Sequence, residues 1–177
     1  DRRPAFFRRG GPEALQARID AGELEPSFGP DTLDPAAGAV LVGARAPLAA
    51  FNLVLDTPDV ERGRAVAAAV RASGGGMPGV QAIGLVLASS RRVQVSLNVI
   101  DLDLAPLHDV VDRARFEACA RGCAVVEGEL VGLLLARVVT AAALAVGVDD
   151  LDRHGLPGPA AREAAARALA LPARAAD

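Results

Sequence analysis

The sequence predicts an α+β fold, an antiparallel sheet that carries its helices on one face. Three observations predict it. Short β-branched runs alternate with segments whose apolar residues recur at helical spacing, so strands and helices interleave along the chain. Two of those runs, residues 80–88 and 92–99, are joined through the polar tetrad SSRR, the mark of a hairpin. The strand VQVSLNV alternates strictly, with Val93, Val95, Leu97 and Val99 on one side and Gln94, Ser96 and Asn98 on the other, as a sheet buried on one face requires.

Each element has a local reason. GPEALQARID, with Pro12 near its start and Leu15 and Ile19 on one side, predicts a short amphipathic helix. In the following ELEPSFGPDTLDPAAG, Pro26, Pro30 and Pro35 together with Gly29 and Gly38 exclude both helix and sheet, leaving an ordered linker or binding loop. Residues 39–57 read as a long strand or strand pair, broken or bulged around Gly43 and Pro47, which places Arg45 and Asn52 on one strand system. Pro58 starts a helix over 58–73 that Gly74, Gly75 and Gly76 end. Pro106 starts a second over 106–122, striped by Leu107, Val110, Val111, Ala114 and Ala118 and closed by Gly122. CAVVEG is a short strand, and residues 130–146 are a third helix, buried rather than membrane-spanning because Arg137 interrupts it. From residue 149 onward, Gly and Pro interruptions and an Ala/Arg-rich end predict a terminal helix that docks weakly or frays. From residue 39 the order is therefore β, α, β, β, α, β, α: a ferredoxin-like βαββαβ sandwich, an antiparallel sheet with helices on one face, plus an extra C-terminal helix.

Composition narrows the function. Of 177 residues 51% are hydrophobic and the net charge is −3, which supports a core and excludes disorder of the whole chain. A pI near 5.4 and the absence of Trp, with five Phe as the only aromatics, argue against nucleic-acid binding. Cys119 and Cys123 lack the companion ligands of a zinc site and read as reduced, partly buried thiols of a cytoplasmic protein. The opening DRRPAFFRRGG is no signal peptide and has no initiator Met, so the chain reads as a piece of a longer protein.

Candidate chemistry is sparse. In SGGGMPG the glycines follow a helix and precede a strand, the reverse of a phosphate loop, so the run is a connection. His108, in the first turn of the second helix, has no nucleophile beside it in the sequence and reads as a structural histidine near Asp101 or Asp103; His154 reads as exposed. The polar side of VQVSLNV is the informative feature. Gln94, Ser96 and Asn98 make a row of uncharged hydrogen-bonding groups suited to a polar ligand or a neighbouring domain; Arg45 and Asn52 could join them, and a buried Arg45 would need an anionic partner.

Six segments, PSFGP, GARAPLAAFNLVL, VQAIG, QVSLN, the Pro-Leu-His of 106–108 and VVEGELVGL, occur in the order and spacing of the C-terminal subdomain of glutamate formimidoyltransferase, which the chain resembles over about residues 8–142. The resemblance implies a transferase that moves a formimino group from N-formimidoyl-glutamate to tetrahydrofolate in histidine degradation. It further implies tetrahydrofolate as co-substrate, no metal, two α/β subdomains with folate between them, and a homodimer. The catalytic histidine would lie on an N-terminal subdomain. This chain would then hold the end of that subdomain and the connecting loop (1–38), the second subdomain (39–148) and a tail (149–177), with no catalytic residue and no turnover of its own. The folate-contacting segment falls on Gly29, Pro30, Asp31, Thr32, Leu33, Asp34, Pro35, Ala36, Ala37 and Gly38. Beside it, the face of Asn52, Gln94, Ser96 and Asn98 would wall the cleft, with Arg45 meeting a folate carboxylate. The alternative is a non-catalytic ferredoxin-like regulatory or oligomerisation module.

Overall fold

The charge-rich lead-in folds as two helices, α1 (Pro4–Arg8) and α2 (Gly11–Asp20), of which the sequence predicts only the second. Arg18 of α2 donates to the carbonyls of Phe6 and Phe7 at 2.9 and 3.0 Å, satisfying carbonyls that the short α1 leaves open at its end. The computed structural model describes residues 4–172 and divides into two compact units, Asp1–Arg45 and Ala46–Asp177.

The second unit is built on four seven-residue strands, β1 (Ala49–Leu55), β2 (Val80–Val86), β3 (Val93–Val99) and β4 (Val125–Val131). They lie in the order β2-β3-β1-β4, antiparallel at every junction. Each helical crossover skips one strand, the ferredoxin-like arrangement expected from the element order. The period-2 rule then sorts the side chains. Phe51, Leu53 and Leu55 of β1, Val80 and Ala82 of β2 and the four apolar residues of β3 form one core with the helices.

Those helices are α3 (Val60–Val70), α4 (Leu107–Cys119), α5 (Ala136–Ala145) and α6 (Pro159–Ala168). Asp59 caps α3, its Oδ1 accepting from the Glu61 N–H at 3.0 Å. The helix rests on β2 through Gly84, where a Cβ would fall 2.4 Å from the backbone nitrogen of Arg64. In α4 the expected stripe is buried in full: Leu107, Val110, Val111, Ala114 and Ala118.

Four expectations need correction. The long strand over 39–57 shrinks to β1, because Pro47 has no N–H for a ladder and residues 39–48 have no strand partner; Arg45 lies off the sheet and exposed. The strand CAVVEG runs on to Val131 and the third helix starts only at Ala136, because Leu130 and Val131 pair with Phe51 and Ala50. The terminal helix does not dock weakly: Ala161, Ala164 and Ala165 of α6 and Leu169 beyond it are buried in the common core. His108 forms no ion pair with Asp101 or Asp103; its Nε2 lies 3.5 Å from Asp109 Oδ1. His154 is exposed as expected.

Candidate functional site: the open face of the sheet

The strand registers place the side chains opposite the helices in three rows. One runs Gln81, Asn98, Ala50, Val131; the next Ile83, Ser96, Asn52, Glu129; the third Leu85, Gln94, Val54, Glu127. The helix-packed core includes none of these twelve residues. Three of the expected polar residues from β3 and one from β1 thus meet on one surface, as alternation requires.

The surface is not evenly wet. Asn98 is exposed, Ser96 and Asn52 are half-buried, and Gln94, expected at a solvated face, is only 4% exposed. Gln94 tolerates that cover because its amide is satisfied: Nε2 donates to Glu129 Oε2 at 3.2 Å. Asn52 Nδ2 donates to the same oxygen at 2.8 Å. Glu129, on the edge strand β4 across β1 from Gln94, therefore gathers amides from both inner strands. One row along, Arg92 donates to Glu127 Oε2 at 2.9 Å. Glu127 and Glu129 are functional candidates the sequence reading missed. Their signal was available: two carboxylates two residues apart in VVEGELV share a face if the strand continues to Val131.

Beyond the third row, where the β2–β3 hairpin turns, a cavity is lined by Thr57, Pro58, Arg91 and Arg92 among others. Arg91 holds a left-handed φ of 57°, an unusual conformation for a non-glycine residue.

The other expected site residues belong to the first unit. Over Gly29–Gly38 the chain folds into a compact turn around Asp34, whose Oδ1 accepts from the N–H groups of Ala36 and Ala37 at 2.7 and 2.9 Å. The Asp34 carbonyl accepts from Gly38 N–H at 2.8 Å. The Ala37 and Ala36 N–H groups hold the Asp34 carboxyl below the usual carboxylate range. Gln16 of α2 pins the turn from both sides, its Oε1 accepting from Leu33 N–H at 2.7 Å and its Nε2 donating to the Asp31 carbonyl at 3.0 Å. Gly29, Pro30, Thr32, Pro35, Ala36 and Ala37 are exposed around it. Arg45 lies outside the strands and is exposed. Among the described residues, no three His, Cys, Asp or Glu side chains are placed to hold a metal ion, and no helix is long and apolar enough to cross a membrane.

A family model, the formiminotransferase domain, matches residues 50–147, which includes all four strands from Ala50 on. Among curated proteins, the chain is similar to the glutamate formimidoyltransferase of Streptococcus pyogenes serotype M1, 33% identical over 151 residues, which are 85% of this chain and 50% of that protein. It is also similar to the glutamate formimidoyltransferase of Thermoplasma acidophilum, 35% identical over 69% of this chain and 40% of that protein. The formimidoyltransferase-cyclodeaminase of Rattus norvegicus is 38% identical over 72% of this chain and 25% of that protein. The chain spans half or less of the length of these relatives.

Proposed function

We propose, on the premise that this chain belongs to the formiminotransferase domain family, that its open sheet face is one wall of a folate cleft whose other wall is a second subdomain. The complete protein then transfers a formimino group from N-formimidoyl-glutamate to tetrahydrofolate. A nitrogen of the reduced pterin attacks the amidine carbon and gives up its proton, the bond from that carbon to the glutamate nitrogen breaks, and the departing nitrogen takes up a proton. This chain binds and orients; the acid/base group comes from the other subdomain, so the chain by itself does not turn over.

The observation that carries the reading is the composition of the face. Asn52, Gln94 and Ser96 lie among the aliphatic side chains of Ala50, Val54, Ile83 and Leu85. A flat heteroaromatic head needs both: apolar surface to lie on and a few fixed polar groups to orient it. The turn of Gly29–Gly38, held by Asp34, is proposed separately as a folate-contacting segment.

Two measurements test it. Nuclear magnetic resonance titration with folate is expected to shift the signals of Asn52, Ser96 and Asn98. Formimino transfer is expected only when a histidine-bearing N-terminal formiminotransferase subdomain is added. Turnover by the chain alone, or folate that perturbs no open-face residue, would overturn the proposal. Alanine substitutions at Gln94 and Asn98 that abolish self-association and leave folate binding intact would favour an oligomerisation module instead.

A further inference from the structure

Glu129, on the edge strand β4, reaches inward over the open face and takes both bonded amides on one oxygen. Asn52 and Gln94 each donate to Oε2, and among the described residues Oε1 accepts no hydrogen bond. No arginine pairs with Glu129 among the described residues, and Arg92, at the hairpin end of the face, is taken by Glu127. This difference matters. Neutral amides orient a carboxylate but leave its charge in place, whereas a guanidinium would orient it and cancel the charge. Of the flanking positions in the adjoining rows, Val131, Ala50 and Val54 offer no side-chain acceptor, and Glu127 is paired with Arg92. A ligand lying on this part of the face meets in Glu129 a carboxylate with an open oxygen and no arginine partner among the described residues, beside the Arg92–Glu127 pair.

We infer that Glu129 is a recognition residue for a planar N–C–N donor pair, held in position by Asn52 and Gln94. The inference rests on the reading of this face as a ligand wall. A carboxylate matches such a fork with both oxygens. Oε1 takes one N–H outright. The second N–H reaches Oε2, where the longer of the two amide bonds, from Gln94 at 3.2 Å, is the one that yields. Two reactants of the proposed transfer carry this donor pair: the pterin, with its ring N–H beside an exocyclic amino group, and the formimino donor, with its amidine.

The test is nitrogen-15 magnetic resonance on the 177-residue chain, titrated with folic acid in one arm and formamidinium chloride in the other. The side-chain amide signals of Asn52 and Gln94 are followed in the wild type and in Glu129→Gln, Glu129→Asp and Glu127→Gln. At least one probe is expected to shift the Gln94 amide pair more than that of Asn52. Glu129→Gln should weaken that probe by at least about tenfold, the scale of a charge-assisted hydrogen bond. Glu129→Asp, which keeps the charge but withdraws it by one methylene, should weaken it too, and Glu127→Gln should not. A response to folic acid alone assigns the pterin edge; a response to formamidinium alone assigns the amidine. Folic acid bound with unchanged affinity by Glu129→Gln overturns this inference and leaves the wall reading standing. Equal losses in Glu129→Gln and Glu127→Gln overturn it as well, because they would mark a general field rather than a site. Open-face signals indifferent to both probes overturn the inference and the wall reading together.

Discussion

The backbone N–H of Gly128, in the edge strand β4, donates to the carbonyl of Ala170 at 2.6 Å, so the segment after α6 closes part of an otherwise unpaired strand edge. The approach requires glycine. A Cβ at Gly128 would lie 2.3 Å from the Leu169 carbonyl oxygen and 2.9 Å from the Phe51 ring. Gly128→Ala is therefore expected to push the C-terminal segment off the strand and cost about 1–3 kcal/mol, the usual scale of core overpacking. A urea midpoint equal to that of the wild type would contradict it.

Asn52 and Gln94 act on one oxygen, so their substitutions should not add. Asn52→Ala and Gln94→Ala are each expected to weaken folate binding by several-fold, on the order of one neutral hydrogen bond. The double variant should lose less than the product of the two. Titration calorimetry of the four proteins checks this, and strictly multiplicative losses would show that the amides act separately.

Glu117 of α4 lies between two arginines, Arg121 at 2.5 Å and Arg113 at 2.8 Å, with its side chain only 10% exposed. The hydrogen bond from Arg121, reinforced by that from Arg113, holds its carboxyl below the ordinary range against the opposing effect of burial. Because the folded value lies below the unfolded one, the stabilisation is complete above the ordinary carboxylate range and is lost as pH falls through the folded value. Glu117→Gln should thus cost about 1 kcal/mol at neutral pH, a modest figure since both arginines are partly exposed. The gap should close in acid, which denaturant titrations across pH would reveal.

Asp34 organises the 29–38 turn through its carboxylate. Asp34→Ala should abolish the hydrogen-exchange protection of the Ala36 and Ala37 amides, and Asp34→Asn, which keeps an acceptor oxygen, should retain most of it. With the folded carboxyl held below its ordinary value, protection in the wild type should persist through mildly acidic pH and disappear once the carboxylate is protonated.

The two free cysteines differ in access. Cys119 is exposed, while Cys123 is buried, its Sγ donating to the Ala118 carbonyl at 3.4 Å. Burial, then the charge of Asp56, pushes the Cys123 thiol up. Iodoacetamide at mildly alkaline pH is expected to label Cys119 at least about tenfold faster, because the thiolate is the nucleophile. Peptide mass spectrometry gives the ratio, and equal rates would show that the end of α4 opens.

The candidate site was half legible in the chain. The alternation in VQVSLNV is a local property of extended backbone, so it assigned Gln94, Ser96 and Asn98 to the side away from the helices without any partner strand. Arg45 was misplaced because an apolar run reads as strand on either side of a proline, and only the absence of a pairing partner ends it at Ala49. Glu129 was overlooked for the converse reason. The apolar run from Leu130 onward satisfies strand and helix alike, and its first two residues become strand only because β1 offers Phe51 and Ala50 to pair with.

By itself, then, the sequence determined which residues can share a face, since side-chain direction follows from backbone period within one segment. The tertiary structure decided which segments lie side by side. Gln94 and Glu129 are 35 residues apart, and nothing local relates them. The order β2-β3-β1-β4 sets β1 between their strands, and the reach of an amide and a carboxylate across that one strand makes them partners.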